Sequence, residues 1–410
     1  MPERGSLLIA AISGRALAAS ARRAGFAPLV ADYFADADMA ALAHRCQKLT
    51  GDLAQGINWH ALHTALSSLA EAAPTPIAGL VYGSGFEDRP QLLGRLAQGW
   101  PLLGNDAETI DRIKAPERFF AMLDFLGVPH PRTVMRLPAT KHGWLAKRRG
   151  GAGGGHIRSR IARPANASVY FQERVTGRSI SALFVANGST ARVLGFSEQW
   201  TAPIRGRPFR YGGAVRAAEL VPHLAKAMSS AVEQVAGSFA LRGLGSADFM
   251  VRGDEVLLLE INPRPGATLD IFDSDSDPLL GLHLDAVMEG RLPTGGLALE
   301  GGAASAIVFA PKRLTVPKMP WPAWAADRPK AGERIDKNRP ICTVLARVKT
   351  PIRAKRLVEE RISIILAACD GESVGGDGEL DEKNGRKRNA PRGDTERQRQ
   401  GRTAGRRPHP

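Results

Sequence analysis

Lys147 ends a short apolar run that starts at Trp144, and Gly150, Gly151, Gly153, Gly154 and Gly155 follow it. A lysine at a strand's end can neutralise phosphate oxygens. Glycines let backbone N–H groups approach those oxygens, because no Cβ intervenes. Such a loop can also move as a lid over a transferring phosphate. It lacks the GK[ST] of a Walker loop, and taken singly it also fits a flexible surface loop. The second set is Asp248, Glu260 and Asn262. Glu260 and Asn262 are two apart on a strand and share a face. Three oxygen-bearing side chains suit magnesium, a hard ion that prefers carboxylates and phosphates. The competing picture is a pair of acids exposed on a hairpin. Leu257, Leu258 and Leu259 beside Glu260 argue for a buried strand, whose carboxylate then needs a partner. Arg264 is flanked by Pro263 and Pro265 and suits charge stabilisation on an acyl phosphate; a surface arginine in a turn is the plainer alternative. Tyr170–Gly177 ends a strand in a polar-apolar linker that offers backbone hydrogen bonds to an adenine edge, and alone it reads as an ordinary edge strand.

The elements that would position these residues alternate in type. Leu7–Ile12 reads as a buried strand, Ser13-Gly14-Arg15 as a turn, Ala16–Ala24 as a helix stopped by Gly25, and Pro28–Asp32 as a second strand. This is a βαβ opening of a parallel sheet, and it argues against a signal peptide at the same residues. Ile77–Tyr82 is a further strand. Ser13-Gly14 and Ser84-Gly85 would lie at carboxyl ends of strands, where open α/β sheets bind ligands. No GxGxxG follows the first strand, which excludes a nicotinamide-binding reading. A broken helix spans about 107–126. Strands are predicted at Thr133–Met135, Trp144–Lys147, Ser168–Glu173, Ser179–Ala186, Val193–Phe196, Ala247–Val251 and Glu255–Ile261, with a helix at Val221–Ala236. From Ala303 short strands are expected at Ser305–Phe309, Thr315-Val316 and Ile341–Val348, in a small β-rich third domain.

Lysine with its glycine loop, the Gln-Glu strand, then Asp…Glu-x-Asn occur in one order. With the stretches DRIKAPERFFAMLDFLGVPHPRT, WLAKRRGGAGGGHI, YFQERVTGRSIS and GSADFMVRGDEVLLLEINPRPGATLD, the chain resembles the ATP-grasp family from about Asp111 to Gly290. The resemblance implies an α/β and α+β multidomain fold: a Rossmann-like domain over 1–108, the ATP-grasp region over 109–295, and the β-rich domain over 296–369. It further implies that Lys114 and Lys147 hold ATP phosphates under the loop Gly151, Gly153, Gly154 and Gly155. Glu173, Arg174 and Val175 would line the adenine, the latter two through backbone atoms. Asp248, Glu260 and Asn262 would bind magnesium, and Arg264 would face the acyl phosphate, with Lys147 and Arg264 as the catalytic pair. Family members often carry an acid two residues beyond the linker glycine to hold the ribose. This chain has Ser179 there, so that contact is absent or made by another residue. SGRALAASARRAGF, FRYGG, GLHLDAVMEG and RPICTVLARV resemble the branch described as ATP-dependent carboligases of methanogens and methylotrophs. That branch implies synthesis of a one-carbon carrier of the tetrahydromethanopterin or methanofuran type.

The expected activity is therefore an ATP- and magnesium-dependent ligase joining a small-molecule carboxylate to an amine. Ser13, Arg15, Ser84, Arg210, Tyr211 and His283 are candidate substrate contacts, each with a plain packing alternative. A bicarbonate-activating carboxylase of the biotin-carboxylase type is the rival within enzymes, although no biotin-accepting Ala-Met-Lys-Met motif is present. The chain has 410 residues and a formal net charge of +15, which raises a nucleic-acid partner as a further rival. Aromatic residues are only 6%, with no stacking platform, so no nucleic-acid partner is expected. No apolar run suffices to span a bilayer, and Cys46, Cys342 and Cys369 are too far apart for a zinc cluster. A cytoplasmic location follows as the expectation, with homo-oligomerisation left open. Residues 370–410, almost without hydrophobics, are expected to be a disordered tail.

Overall fold

The computed structural model describes residues 4–52, 55–161, 168–216 and 220–371. The chain opens with β1 (Ser6–Ala10), α1 (Arg15–Arg23), β2 (Ala27–Asp32), α2 (Met39–Leu42), β3 (Arg45–Lys48), α3 (Trp59–Glu71), β4 (Ile77–Tyr82) and α4 (Gln91–Leu96). The strands form one parallel sheet in the order β3-β2-β1-β4. All five residues of β1 are buried, as a central parallel strand requires when both faces are covered. Sequence periodicity anticipated β1, β2 and β4 but not β3, whose residues Arg45–Lys48 carry no apolar alternation.

Next come α5 (Ala107–Lys114), α6 (Pro116–Leu126), β5 (Thr133–Val134), β6 (Trp144–Arg148) and β7 (Val169–Glu173). Asp106 caps α5 by accepting from Thr109 N, and Pro116 opens α6 where its missing N–H costs nothing. The three strands form a small antiparallel sheet in the order β5-β7-β6.

The third group is β8 (Arg178–Asn187), β9 (Ala191–Thr201), β10 (Tyr211–Arg216), α7 (Pro222–Ser238), β11 (Arg242–Arg252), β12 (Glu255–Asn262), α8 (Leu269–Phe272) and α9 (Leu279–Met288). Last are β13 (Gly302–Phe309), β14 (Leu314–Thr315), β15 (Ala325–Ala326), β16 (Arg334–Ile335), β17 (Pro340–Val348) and α10 (Pro351–Asp370). Eight strands make one antiparallel sheet, β12-β11-β8-β9-β10-β13-β17-β15. The C-terminal strands expected from sequence are thus present, but β13, β17 and β15 continue the central sheet through the β10–β13 pairing. They are followed by a 20-residue helix that sequence reading missed. Its signal is legible afterwards: Thr350 accepts from Arg353 N as N-cap, Pro351 opens the helix, and Ala354, Val358 and Ile365 form the buried stripe. Asp370 closes this helix rather than opening a tail, and 372–410 lie outside the described residues. Among the described residues, no helix is long and apolar enough to cross a membrane.

Two buried polar residues tie the parallel sheet to the antiparallel one. Asn105 donates through Nδ2 to the carbonyls of Arg242 (3.0 Å) and Pro263 (2.9 Å) and accepts from Arg242 N (2.8 Å). His283 accepts from Leu244 N through Nδ1 (2.9 Å) and meets the Leu103 carbonyl through Nε2 (3.0 Å). With both ring nitrogens so engaged, His283 is a packing residue and not a substrate contact. Burial pushes its pKa down from 6.5 to about 4. A histidine that binds its proton less tightly when folded contributes stability above pH 6.5, and that contribution is lost as the pH falls towards 4. Replacing His283 with Phe leaves a buried N–H and a buried carbonyl unpaired, so the unfolding free energy at pH 7.5 should drop by about 2–3 kcal/mol. In chemical denaturation the variant's loss of stability between pH 7 and pH 5 should also be shallower than that of the parent. An unchanged pH slope would remove His283 from this role.

Candidate active site

The site begins with an irregularity between β11 and β12. Asp248 pairs with Glu260, but Phe249 pairs with Leu258, so Leu259 is an extra residue on β12. In an unbroken strand Glu260 would share a face with Leu258. The bulge reverses that, leaving Leu258 and Ile261 on the apolar face packed against α6 and α7. Glu260 and Asn262 are thereby turned to the other face beside Asp248. On that face Asp248 accepts from Ser181 Oγ (2.7 Å), Gln199 Nε2 (3.3 Å) and Asn262 Nδ2 (3.1 Å).

Positive groups come from two other segments and from the turn that follows β12. Lys114, the last residue of α5, donates through Nζ to Asn262 Oδ1 at 3.2 Å. Lys147 on β6 is 4% exposed, and burial pushes its pKa down against the pull of Glu260 and Asp248. Arg264 donates through Nε to Glu87 Oε1 at 2.7 Å, both side chains being buried. The other Glu87 oxygen accepts from the backbone N–H groups of Gly85 (2.8 Å) and Phe86 (3.1 Å). Arg264 Nη2 has no partner among the described residues and remains available to an oxyanion.

The acids titrate as a pair. Burial, and then the charge of Glu260, push the Asp248 pKa up. Burial also opposes the Glu260 carboxylate, yet Lys114, Lys147, His156 and Arg264 outweigh it and hold its pKa down. Two adjacent carboxylates under a ring of cations, with an amide oxygen beside them, form a hard-oxygen set that fits a divalent ion. Among the described residues no three His, Cys, Asp or Glu side chains gather for a metal, so the set is two carboxylates and an amide.

The glycine loop lies packed rather than free. Gly150, with φ of 66°, abuts the backbone of Glu87 and Asp88, and a Cβ there would strike it. Gly153 accepts from Tyr211 N at 3.0 Å. Gly154, at φ 69°, rests on the Phe209 carbonyl, and Gly151 on the His156 ring, whereas Gly155 faces open space. The segment holding Arg210 is thus the floor of the loop. Arg210 itself bonds the carbonyls of Ala202 and Asn338 and stacks over Phe309.

The expected adenine linker ends β7. Glu173 N and Arg174 N are committed to the carbonyls of Arg132 (2.8 Å) and Gly143 (2.7 Å). Val175 N has no partner among the described residues, which leaves it free for an adenine edge. A cavity of about 30 Å³ lies between the layers, lined by Lys114, Gly151, His156, Tyr170 and Glu260 among others. His156 was not singled out from sequence, nor were Glu87, Asn105, Ser181 and Gln199. The pKa of His156 is pushed down to about 4 by burial, and its buried Nδ1 has no partner among the described residues. For Glu87 a signal existed: it follows the Ser84-Gly85 turn at the carboxyl end of β4. Of the expected substrate contacts, Arg15 is occupied by Asp270 (2.5 and 2.6 Å) and Asp327 (3.0 Å).

Residues 118–268 match the family model of the ATP-grasp domain. A stretch of 91 residues is 35% identical to the formate-dependent phosphoribosylglycinamide formyltransferase of Shewanella frigidimarina, covering 22% of this chain and only 22% of that relative. Among solved structures, an N5-carboxyaminoimidazole ribonucleotide synthetase in complex with ADP superposes with a TM-score of 0.63 at 15% identity, over 89% of this chain and 98% of that one. The L-amino acid ligase of Bacillus licheniformis gives 0.65 at 14% identity over 89% and 98%. Biotin carboxylase of Campylobacter jejuni gives 0.67 at 13% identity over 87% and 90%. The chain therefore has the fold of the ATP-grasp superfamily. The stretch that matches the ATP-grasp model, residues 118–268, contains Lys147, Asp248, Glu260, Asn262 and Arg264.

The two kinds of glycine give a direct comparison. Gly154→Ala should force the loop off Phe209 and lower nucleotide affinity by about tenfold, equivalent to about 1.4 kcal/mol. Gly155→Ala, which meets nothing within 4 Å, should leave affinity unchanged. Calorimetric titration of both variants with ADP and magnesium checks the contrast; equal affinities would mean that the packed loop conformation is irrelevant to binding.

Proposed function

We propose that this protein is an ATP- and magnesium-dependent ligase that activates a carboxylate as an acyl phosphate for attack by an amine. The observation that carries the reading is the convergence of Lys114, Lys147 and Arg264, from three separate segments, on Asp248, Glu260 and Asn262. In this reading Lys114 and Lys147 hold the phosphates, the loop Gly151–Gly155 covers them, and Glu173, Arg174 and Val175 border the adenine. Asp248, Glu260 and Asn262 would hold magnesium, which supplies charge neutralisation at the phosphate oxygens. The ordered match of these residues to the ATP-grasp pattern supports each role.

A substrate carboxylate oxygen attacks the γ-phosphorus, the bond to the β-γ bridging oxygen breaks, and ADP leaves. An amine nitrogen then attacks the acyl carbon, inorganic phosphate departs, and the nitrogen loses its proton to give an amide. Lys147 neutralises the charge that moves onto the phosphates, and the free Nη2 of Arg264 meets the acyl phosphate. Glu87 keeps Arg264 in place, and Asn105 fixes the Pro263 carbonyl just before it. The packed glycine loop keeps water from the acyl phosphate. The packed loop leaves a cavity of only about 30 Å³, and in this reading ATP enters as the loop lifts.

Formate, bicarbonate and amino acids, which the names of the similar proteins suggest, make the first panel of carboxylates. The carboligase-like stretches favour an amine belonging to a one-carbon carrier of the tetrahydromethanopterin or methanofuran type. ADP release from magnesium-ATP should require both a carboxylate and an amine. It should fall by about 10²–10³ in Lys147→Met, the loss typical of removing one transition-state donor. With ¹⁸O-labelled carboxylate, one ¹⁸O should appear in the released phosphate. Release with bicarbonate alone would favour the carboxylase reading, and nucleotide turnover that survives Lys147→Met unchanged would overturn the assignment.

A further inference from the structure

A second cavity, of about 500 Å³, lies away from the acid pair, between α1 and α2 on one side and α8, β15 and β17 on the other. It is lined by three carboxylates and by Arg15, Arg23, Arg328 and Arg347. The mixture looks balanced until each polar atom is followed to its partner. Asp38 accepts from the backbone N–H groups of Asp327 (3.1 Å) and Arg328 (3.0 Å). Asp270 takes the two ends of the Arg15 guanidinium, at 2.6 and 2.5 Å. Asp273 accepts from Ser20 Oγ (2.8 Å) and Leu279 N (2.7 Å) on one oxygen and from Arg23 Nη1 (2.7 Å) on the other. Every carboxylate oxygen on the wall therefore already holds a donor.

The donors are not used up in the same way. Arg328 gives only Nε, to the Ala325 carbonyl at 2.7 Å, and its Nη1 and Nη2 have no partner among the described residues. Arg347 gives only Nη2, to the carbonyls of Asp270 (2.7 Å) and Asp273 (2.8 Å), leaving Nε and Nη1. Neither arginine has a carboxylate partner there. Trp321 adds a flat apolar wall. A concave site that offers unspent guanidinium N–H groups, and whose acid oxygens each already hold a donor, favours an oxyanion.

We infer that this cavity is a binding site for a small anion bearing phosphate or carboxylate groups, held by Arg328 and Arg347 against Trp321. It is separate from the proposed nucleotide site, since none of its lining residues belongs to that set. A ligand seated there would bridge the parallel-sheet helices and the C-terminal strands.

The test is calorimetric titration of the full chain with pyrophosphate and, separately, citrate. Saturating ADP is present with magnesium in excess over the probe, and the heat of each probe in the same buffer without protein is subtracted, so that neither the nucleotide site nor magnesium chelation reports. One of the two probes should bind with a dissociation constant below about 1 mM, pyrophosphate indicating a phosphate ligand and citrate a carboxylate ligand. Arg328→Gln should weaken that binding by about tenfold or more. Ala323, exposed on the cavity rim, supplies variants that remove no contact. Ala323→Glu should weaken the anion several-fold and Ala323→Lys should tighten it, with ADP affinity unchanged in both. No binding of either probe, or binding that ignores the charge at residue 323, would overturn the proposal.

Discussion

Asp248 and Glu260 face each other across two antiparallel strands, and the rest of the site answers to that repulsion. Two carboxylates so close, and partly withdrawn from water, do not both stay ionised without compensation. The compensation comes from Lys114, Lys147 and Arg264 around Glu260, and from the Ser181 and Asn262 donors on Asp248. The bulge at Leu259 is the local device that creates the problem, since it turns Glu260 off the apolar face. Keeping such a pair is costly for stability alone. It becomes intelligible if a divalent cation and its phosphates complete the charge balance.

The global architecture follows from where the cations must come from. Lys114 ends a helix, Lys147 lies on the small three-stranded sheet, and Arg264 follows the edge strand of the eight-stranded sheet. Lys114 and Lys147 come from segments remote in sequence from the acids, so the layers that carry them have to be clamped together. Asn105 and His283 perform that clamping with buried hydrogen bonds, and Glu87 carries it to Arg264 from the turn after β4. Burial here serves precision, because a guanidinium held on one edge keeps its other edge aimed.

Much of this was legible in the residues. The opening βαβ unit, the lysine-glycine loop and the Asp…Glu-x-Asn strand pair are local patterns whose physics is carried by neighbours in sequence. Asn105, Ser181 and Gln199 were not legible, because each acts through a partner at least 49 residues away, and Glu87 offered only its place after the Ser84-Gly85 turn. Arg210 and Arg15 read as anion contacts by type, and the fold spends them on carbonyls, an aromatic ring and two aspartates. The continuity of β13, β17 and β15 with the central sheet was hidden too, since strand pairing between distant segments leaves no periodic trace.

The central claim is that the acid pair exists to receive a magnesium-bound nucleotide. Calorimetric titration of ADP into the protein, with magnesium and again after chelation, tests it most directly. The account predicts clear binding with magnesium, much weaker binding without it, and loss of that difference in the Asp248→Asn, Glu260→Gln double variant. Binding that is equally strong with and without the ion, or no nucleotide binding at all, would contradict it.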